Sequence, residues 1–545
     1  MISCIHSLKK LPTKILFLYA VVMSSALSKV VNSNDYPNIV LLVSSDHAVE
    51  TLDQRSSVFA PHNATPNLDS LFSTGIHFKN AYCVSAQVGP SFATILTGRY
   101  PHKHRLTGSG KKFDNSVETI PKILLDLGYE TAFFGQWPLG DTPMGFSHWE
   151  VLADGDQFYN PEFRTKSGKK TIEGHITDVT TDLFLDWIEK RKPYHKPFFA
   201  LVHYNGTQRP WLPALRHLEL FDDVLLDEPD TLFDEHKHRA PPSRYQEMTI
   251  DKDLHLNVDL FLPPLISVKD SNQINSSVIE KNTTRMNEEQ LSTWQLAWRP
   301  KNEAFWREGN KEEALVRWKY QRFVKNYLRC LAGVDENIGR FINFAKSKQD
   351  LKSIVIYTAA RGRFLGQQGW FGSSWAYEPS ARIPLIIYEL GEKDVSPMGK
   401  MQIVSNLDLA PTILSLFGES ASFEFDGLNL MDEEKQITPT ENRFLYFHHQ
   451  EFPSKEMIPK HYGLINKTLK LIHYYQFDEW ELFDLVNDPL EMMNIYKNDP
   501  QKTYFEQAQE RLQEIRKKVA DHTDTSTMPE EWRRIYRGPD ARSEK

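Results

Sequence analysis

Five short apolar runs constrain this chain more than any other feature in it. They are NIVLLVSS (Asn38–Ser45), YETAFFG (Tyr129–Gly135), PFFALVHY (Pro197–Tyr204), SIVIYTA (Ser353–Ala359) and RIPLIIY (Arg382–Tyr388). Their apolar residues are consecutive rather than alternating, as in strands covered on both faces of a parallel sheet. Helix-forming segments lie between them. Thr65-Pro66 opens one that Gly75 closes, and Ser116–Gly128, Gly174–Arg191 and Val316–Ser347 supply others. Strands alternating with helices predict an α/β domain with a large doubly wound mixed or parallel sheet, whose ligands bind beyond the carboxyl ends of the strands. This domain is placed at 36–420, with a charged, Pro-bearing surface insertion at about 218–310 that lacks a long apolar period. After a short helix at Asp408–Phe417, NRFLYFHHQ, YGLINKTLKLIHYY and EWELFDL read as strands of a smaller antiparallel sheet. Tyr504–His522 reads as an amphipathic helix, giving an α+β subdomain at 421–545.

Charge and targeting signals narrow the function. A formal net charge of -8 argues against nucleic acid as a partner. No apolar run of about 18 residues follows the N-terminus, so no membrane span is expected after signal cleavage. Lys9, Lys10 and Lys14 precede the apolar stretch Ile15–Leu27, which is followed by small residues, so residues 1–28 read as a secretory signal peptide. An extracellular or lysosomal residence follows. Five N-x-[ST] triplets fit that route, at Asn63, Asn205, Asn275, Asn282 and Asn466. Cys83 and Cys330 lie in apolar contexts and read as buried free thiols, with one disulfide between them as the alternative.

One stretch carries chemistry. In QVGPSFATILTGR (Gln87–Arg99), Pro90 opens a helix and Gly98 closes it. The helix N-terminus suits an anionic substrate, and a nucleophile belongs just before it, where Val88 stands.

The runs NIVLLVSSDHA, TPNLDSLFSTGIHFKNAYC, GPSFATILTGR, GYETAFFGQWPLG and WELFDLVNDP resemble the sulfatases of the alkaline phosphatase superfamily. RWKYQRFVKNYLRCLAGVDENIGR and FLGQQGWFGSSWAYEPSARIPLI are similar to the N-acetylglucosamine-6-sulfatase branch of glycan sulfatases. The resemblance covers nearly the whole mature chain. It implies a formylglycine nucleophile made from the cysteine of a C-x-P-S-R stretch, and a calcium ion held by strand-end carboxylates.

Position by position, the polar site residues differ from that pattern while the glycines and aromatics around them match. Val88 and Phe92 stand for the cysteine and arginine of C-x-P-S-R. The family's GKWHLG is GQWPLG here, which places Gln136 and Pro138 at the lysine and histidine. HKAPHR gives Asn205 and Gln208, and LGEHGWFDK gives Gln368 and Ser373. The calcium positions hold Ser45, Asp46, Ala360 and Arg361. Calcium takes several oxygen ligands, mostly anionic, so no cofactor is expected, and Arg361 is expected to pair with Asp46. These replacements lead to the expectation of a secreted sulfatase-like chain without catalytic residues, not an enzyme, that binds sulfated glycans weakly. The alternative is an atypical glycan sulfatase with a rebuilt site that recruits calcium or one of His47, His203 and His217. Ser91, one turn into the helix, is a further hydroxyl such a site could use.

Overall fold

The computed structural model describes residues 36–531 and 533, apart from 53–58, 60–61, 109, 141, 192–196, 264–277, 349–350, 391–397, 419–422, 432–442, 455 and 497–502. The expected signal peptide and the Asn275 triplet lie outside the described residues.

The strands are β1 (Asn38–Asp46), β2 (Ile76–Tyr82), β3 (Glu130–Gly135), β4 (His148–Leu152), β5 (Glu162–Thr165), β6 (Gly168–Thr171), β7 (Phe198–Tyr204), β8 (Ser353–Arg361), β9 (Leu385–Glu389) and β10 (Met398–Ser405). They form one sheet in the order β10-β2-β9-β8-β1-β7-β3-β4-β5-β6. The centre, from β8 through β1, β7 and β3 to β4, is parallel, whereas β9 runs antiparallel to both of its neighbours.

β1 shows why the run is apolar at consecutive positions. Side chains alternate across a strand. Ile39, Leu41 and Val43 therefore enter one core, and Val40 and Leu42 enter the other. The helices α1 (Pro66–Thr74), α2 (Val88–Thr97), α3 (Ile120–Asp126) and α4 (Ile176–Lys190) cover the two faces. α2 and α3 fill the first core with Phe92, Ile95, Leu96, Ile120 and Leu124. α1 and α4 fill the second with Leu68, Leu71, Val179 and Phe184. Every one of these side chains is buried. At about 25 cal/mol per Å² of apolar surface, such two-sided burial is the main force holding the layers together.

Two further helices join across the region expected as an extended insertion. The segment α5 (Val278–Arg285) leads into α6 (Glu288–Glu308). α6 adds a long helix to the surface insertion expected at about 218–310. Asn287 caps it in a capping box with Gln290, and Gly309 closes it with φ 64°. Trp294, Ala297, Trp298 and Phe305 make its buried stripe. α7 (Glu312–Ser347) then runs unbroken for 36 residues, about 54 Å at 1.5 Å per residue.

Past α8 (Leu409–Leu416), the strands β11 (Leu445–His449), β12 (His461–Ile465), β13 (Leu469–Tyr474) and β14 (Glu479–Asp484) form an antiparallel meander, against which α9 (Thr503–Lys518) packs through Ala508, Leu512 and Ile515. Cys83 and Cys330 are free and buried. Among the described residues no helix is long and apolar enough to cross a membrane.

Candidate active site

The carboxyl ends of β8, β1, β7 and β3 lie side by side, so their terminal residues and the loops leaving them share one floor. The register sets the arrangement. Asp46 pairs with Arg361 across β1 and β8, Val43 pairs with His203 across β1 and β7, and Gly135 pairs with His203 across β3 and β7.

Asp46 is fully buried, and two different arginines take its two oxygens. Arg361 Nε donates to Oδ1, and Arg363 Nη2 donates to Oδ2 at 2.6 Å. Burial pushes the carboxyl pKa up, but the two guanidinium charges outweigh it and hold it below its ordinary value. The expected Asp46–Arg361 pair is present. The sequence reading missed its second cation, so the expected pair is a triad of one carboxylate and two guanidinium groups. Arg363 follows Arg361 by two, the spacing that returns an extended chain to the same face. It is fixed by Phe371 O at 2.8 Å and lies over the Trp211 ring. Arg361 reaches outward. Its Nη1 is 3.3 Å from both Ala86 O and Ser374 Oγ, and 3.9 Å from Glu456 Oε1.

This donor set does not fit calcium. That ion takes about six to eight oxygens, several of them carboxylate. Here the one carboxylate is spent on arginines, Ala360 offers no side-chain oxygen, and Ser45 is engaged elsewhere. Among the described residues, no group of three or more His, Cys, Asp and Glu is placed to hold a metal ion.

Ser45 Oγ lies 3.0 Å from His203 Nε2 and 3.3 Å from Gln136 Oε1. His203 Nδ1 is 2.6 Å from the Gln136 carbonyl oxygen, which can only accept. Nδ1 therefore carries the hydrogen, and the Nε2 lone pair faces the Ser45 hydroxyl. Burial lowers the His203 pKa to about 4, so the ring is neutral near pH 7. Phe92 stacks on that ring with centroids 4.7 Å apart. Gln208 Nε2 donates to Gln136 Oε1 at 3.0 Å, so Gln136 covers the Ser45–His203 pair from outside.

The other candidates divide. Val88, at the first position of α2, is half-buried. Ser91 is fully buried and held by the Ala360 carbonyl and by Asn406 Nδ2, which leaves its hydroxyl committed to packing. Pro138 sits half-buried at the rim. Gln368 is buried with φ 59°, and its side chain bonds Leu490 O, tying the loop to the C-terminal part. Ser373 Oγ bonds Gly362 O. Neither is hydrogen-bonded to the Ser45–Asp46 cluster. His47 is bound to Tyr357 and Thr51, and His217 to Glu336, so of the three candidate histidines only His203 joins the floor. The C-terminal part supplies two rim residues that sequence reading missed. Glu451 accepts from Gln87 at the start of α2, and Glu456 faces Arg361. Both sit in a loop whose place over the first sheet no local pattern signals.

Two of the five glycosylation triplets need correction. Asn282 is fully buried, with Oδ1 accepting from Phe158 N and Tyr159 N and Nδ2 donating to Asp156 O and Val278 O. Asn205 is buried as well, with Nδ2 bonded to Gly155 O at 2.9 Å. Side chains buried to this degree leave no room for a glycan on Nδ2. Asn63 is exposed and Asn466 half-buried.

Comparison with known proteins fits this architecture. Residues 37–419 match the Sulfatase family, and residues 366–518 match the family described as N-sulphoglucosamine sulphohydrolase, C-terminal. An N-acetylglucosamine-6-O-sulfatase of Bacteroides thetaiotaomicron is 34% identical over 94% of this chain and 91% of its own. An N-acetylglucosamine-6-sulfatase of Capra hircus is 24% identical over 85% of this chain and 81% of its own. A solved structure of a protein in complex with its substrate D-glucosamine-2-N,6-O-disulfate superposes with a TM-score of 0.83 at 32% identity, covering 90% of this chain and 99% of that one. These matches correct the expectation that the chain is not an enzyme. The expectation rested on single replaced positions, whereas the likeness to sulfatases runs through both sheets and nearly the full length. The chain belongs to the sulfatase family.

Proposed function

We propose that this protein is an atypical glycan sulfatase, a sulfuric ester hydrolase acting on sulfated glucosamine units, with a rebuilt site. The near full-length similarity to an N-acetylglucosamine-6-O-sulfatase carries the reading. On this reading Val88, Phe92, Gln136, Pro138, Asn205, Gln208, Gln368 and Ser373 replace the family's catalytic side chains, and Ser45, Asp46, Ala360 and Arg361 replace its calcium ligands.

The chemistry then falls to the pair that geometry favours. A hydroxyl hydrogen-bonded to a neutral imidazole, itself fixed by an acceptor on Nδ1, is the arrangement that activates a nucleophile. Ser45 Oγ attacks sulfur while His203 Nε2 takes its proton. The sulfur–oxygen bond to the sugar breaks, and the sugar oxygen takes that proton back from His203. Water then attacks the serine sulfate with His203 as base, which releases sulfate and restores the hydroxyl. Access requires the Gln136–Gln208 pair to part. A secretory residence, extracellular or lysosomal, with glycans at Asn63 and Asn466 accompanies this reading.

The test is sulfate release from N-acetylglucosamine-6-sulfate by the purified chain, beside Ser45→Ala and His203→Gln. The reading expects turnover in the wild type and a loss of at least about 10² in each variant, the size of a general-base contribution. No release by the wild type above a heat-treated control removes the reading. Release that survives both substitutions removes the Ser45–His203 assignment.

A further inference from the structure

We propose that Arg361 is the receptor for the sulfo group, a guanidinium built into the chain that does the work an exchangeable divalent cation would do. The inference rests on the substrate class proposed above, but not on turnover.

The floor cluster gathers two guanidinium groups. Arg361 and Arg363 bring two positive charges to one carboxylate, that of the fully buried Asp46. Glu456 lies 3.9 Å from Arg361, beyond hydrogen-bond distance, on a part-exposed loop. The two arginines are not equivalent. Arg363, 3% exposed, gives Nη1 to Phe371 O and Nη2 to Asp46 and presents no edge to the outside. Arg361, 14% exposed, spends its Nε on Asp46 and turns Nη1 toward Ala86, beside the start of α2, and Ser374. Both Nη1 contacts are 3.3 Å, long enough to yield to a better acceptor. Asp46 thus orients the guanidinium and keeps it in place without consuming its outer edge. A sulfate monoester is anionic, and its oxygens suit the planar donor fork of arginine. The N-terminal amides of the ten-residue α2 add to the same anionic preference. With Asp46 engaged by both arginines, the Glu456 carboxylate 3.9 Å from Arg361 falls short of the about six to eight oxygens that calcium takes, and binding is independent of metal.

Calorimetric titration with glucosamine-6-sulfate, and with glucosamine as control, tests this in EDTA and again in excess calcium. The expected result is binding of the sulfated sugar alone, equal in both buffers, and at least about tenfold weaker in Arg361→Gln, the equivalent of one ordinary charged contact. Arg361→Lys keeps the charge without the fork and is expected to fall between the two. Thermal unfolding of the wild type is expected not to shift with calcium. Binding that requires calcium, a calcium-dependent rise in Tm, equal affinity for glucosamine, or full affinity in Arg361→Lys overturns the proposal. If Arg361→Gln does not fold, the lysine variant and the wild-type arms decide. Binding without sulfate release leaves this inference standing and removes the proposed hydrolysis; release without these dependences does the reverse.

Discussion

Asp46 is a carboxylate whose environment pulls it in two directions. Burial favours the neutral acid, and two arginines favour the anion and win. Its folded pKa thus lies below its unfolded one, so its contribution to stability is full above the ordinary carboxylate range. It is lost as pH falls through the folded value. Asp46→Asn keeps the shape and strands two buried guanidinium groups. Breaking a buried ion cluster from one side costs about 3–5 kcal/mol. We expect a loss of that size in urea denaturation near neutrality, with the gap to the wild type closing only in strongly acid solution. Equal stability of the two proteins near pH 7 would contradict the triad. The Asp46–Arg361 half was legible because strand-end neighbours in a parallel sheet meet by register. Arg363 was not read, because it lies past the end of β8, where no strand pattern continues. The Ser45–His203 contact was also hidden, since 158 residues separate its partners and only the strand order brings them together.

Among the elements, the five two-sided strands were readable because each is apolar on consecutive positions. β2 was not read as a strand, since IHFKNAY carries His77, Lys79 and Asn80 and lies next to the edge of the sheet. α6 was hidden for a related reason. Its charges and Pro300 obscure a buried stripe of only four residues in 21. The joint between β3 and β7 offers a test at this scale. Gly135 has φ 104°, and a Cβ there would lie 2.1 Å from the His203 carbonyl oxygen. Gly135→Ala is therefore expected to force the two strands apart just where Gln136 O holds the His203 ring. Overpacking of this kind costs about 1–3 kcal/mol. Chemical denaturation measures it, and an unchanged midpoint would show that the strands yield freely.

Across the whole molecule, buried histidines set the acid limit of stability. Burial lowers the pKa of His47 and His104 to about 3, and that of His175, His203 and His449 to about 4, from 6.5. Each folded value lies below the unfolded one, so the unfolded chain binds more protons in between. The stability they support is complete above pH 6.5 and is lost as pH falls toward those values. For each ring, a tenfold weaker hold on its proton in the folded chain corresponds to about 1.4 kcal/mol. We expect urea midpoints to drop steadily below about pH 6.5, with proton uptake on unfolding seen by calorimetry in buffers of different ionisation enthalpy. A flat profile through that window would mean that these rings are solvated in the folded protein.

Asn282 gives the fold a race to win. Its amide accepts from Phe158 N and Tyr159 N, 124 and 123 residues away in the chain. The same amide heads an Asn-Thr-Thr triplet that an oligosaccharide transferase accepts while the chain is still open. In a compartment that holds the transferase, every molecule sugared there before α5 docks is barred from this native arrangement for good. The yield of native protein in such a host is thus a matter of timing rather than of equilibrium.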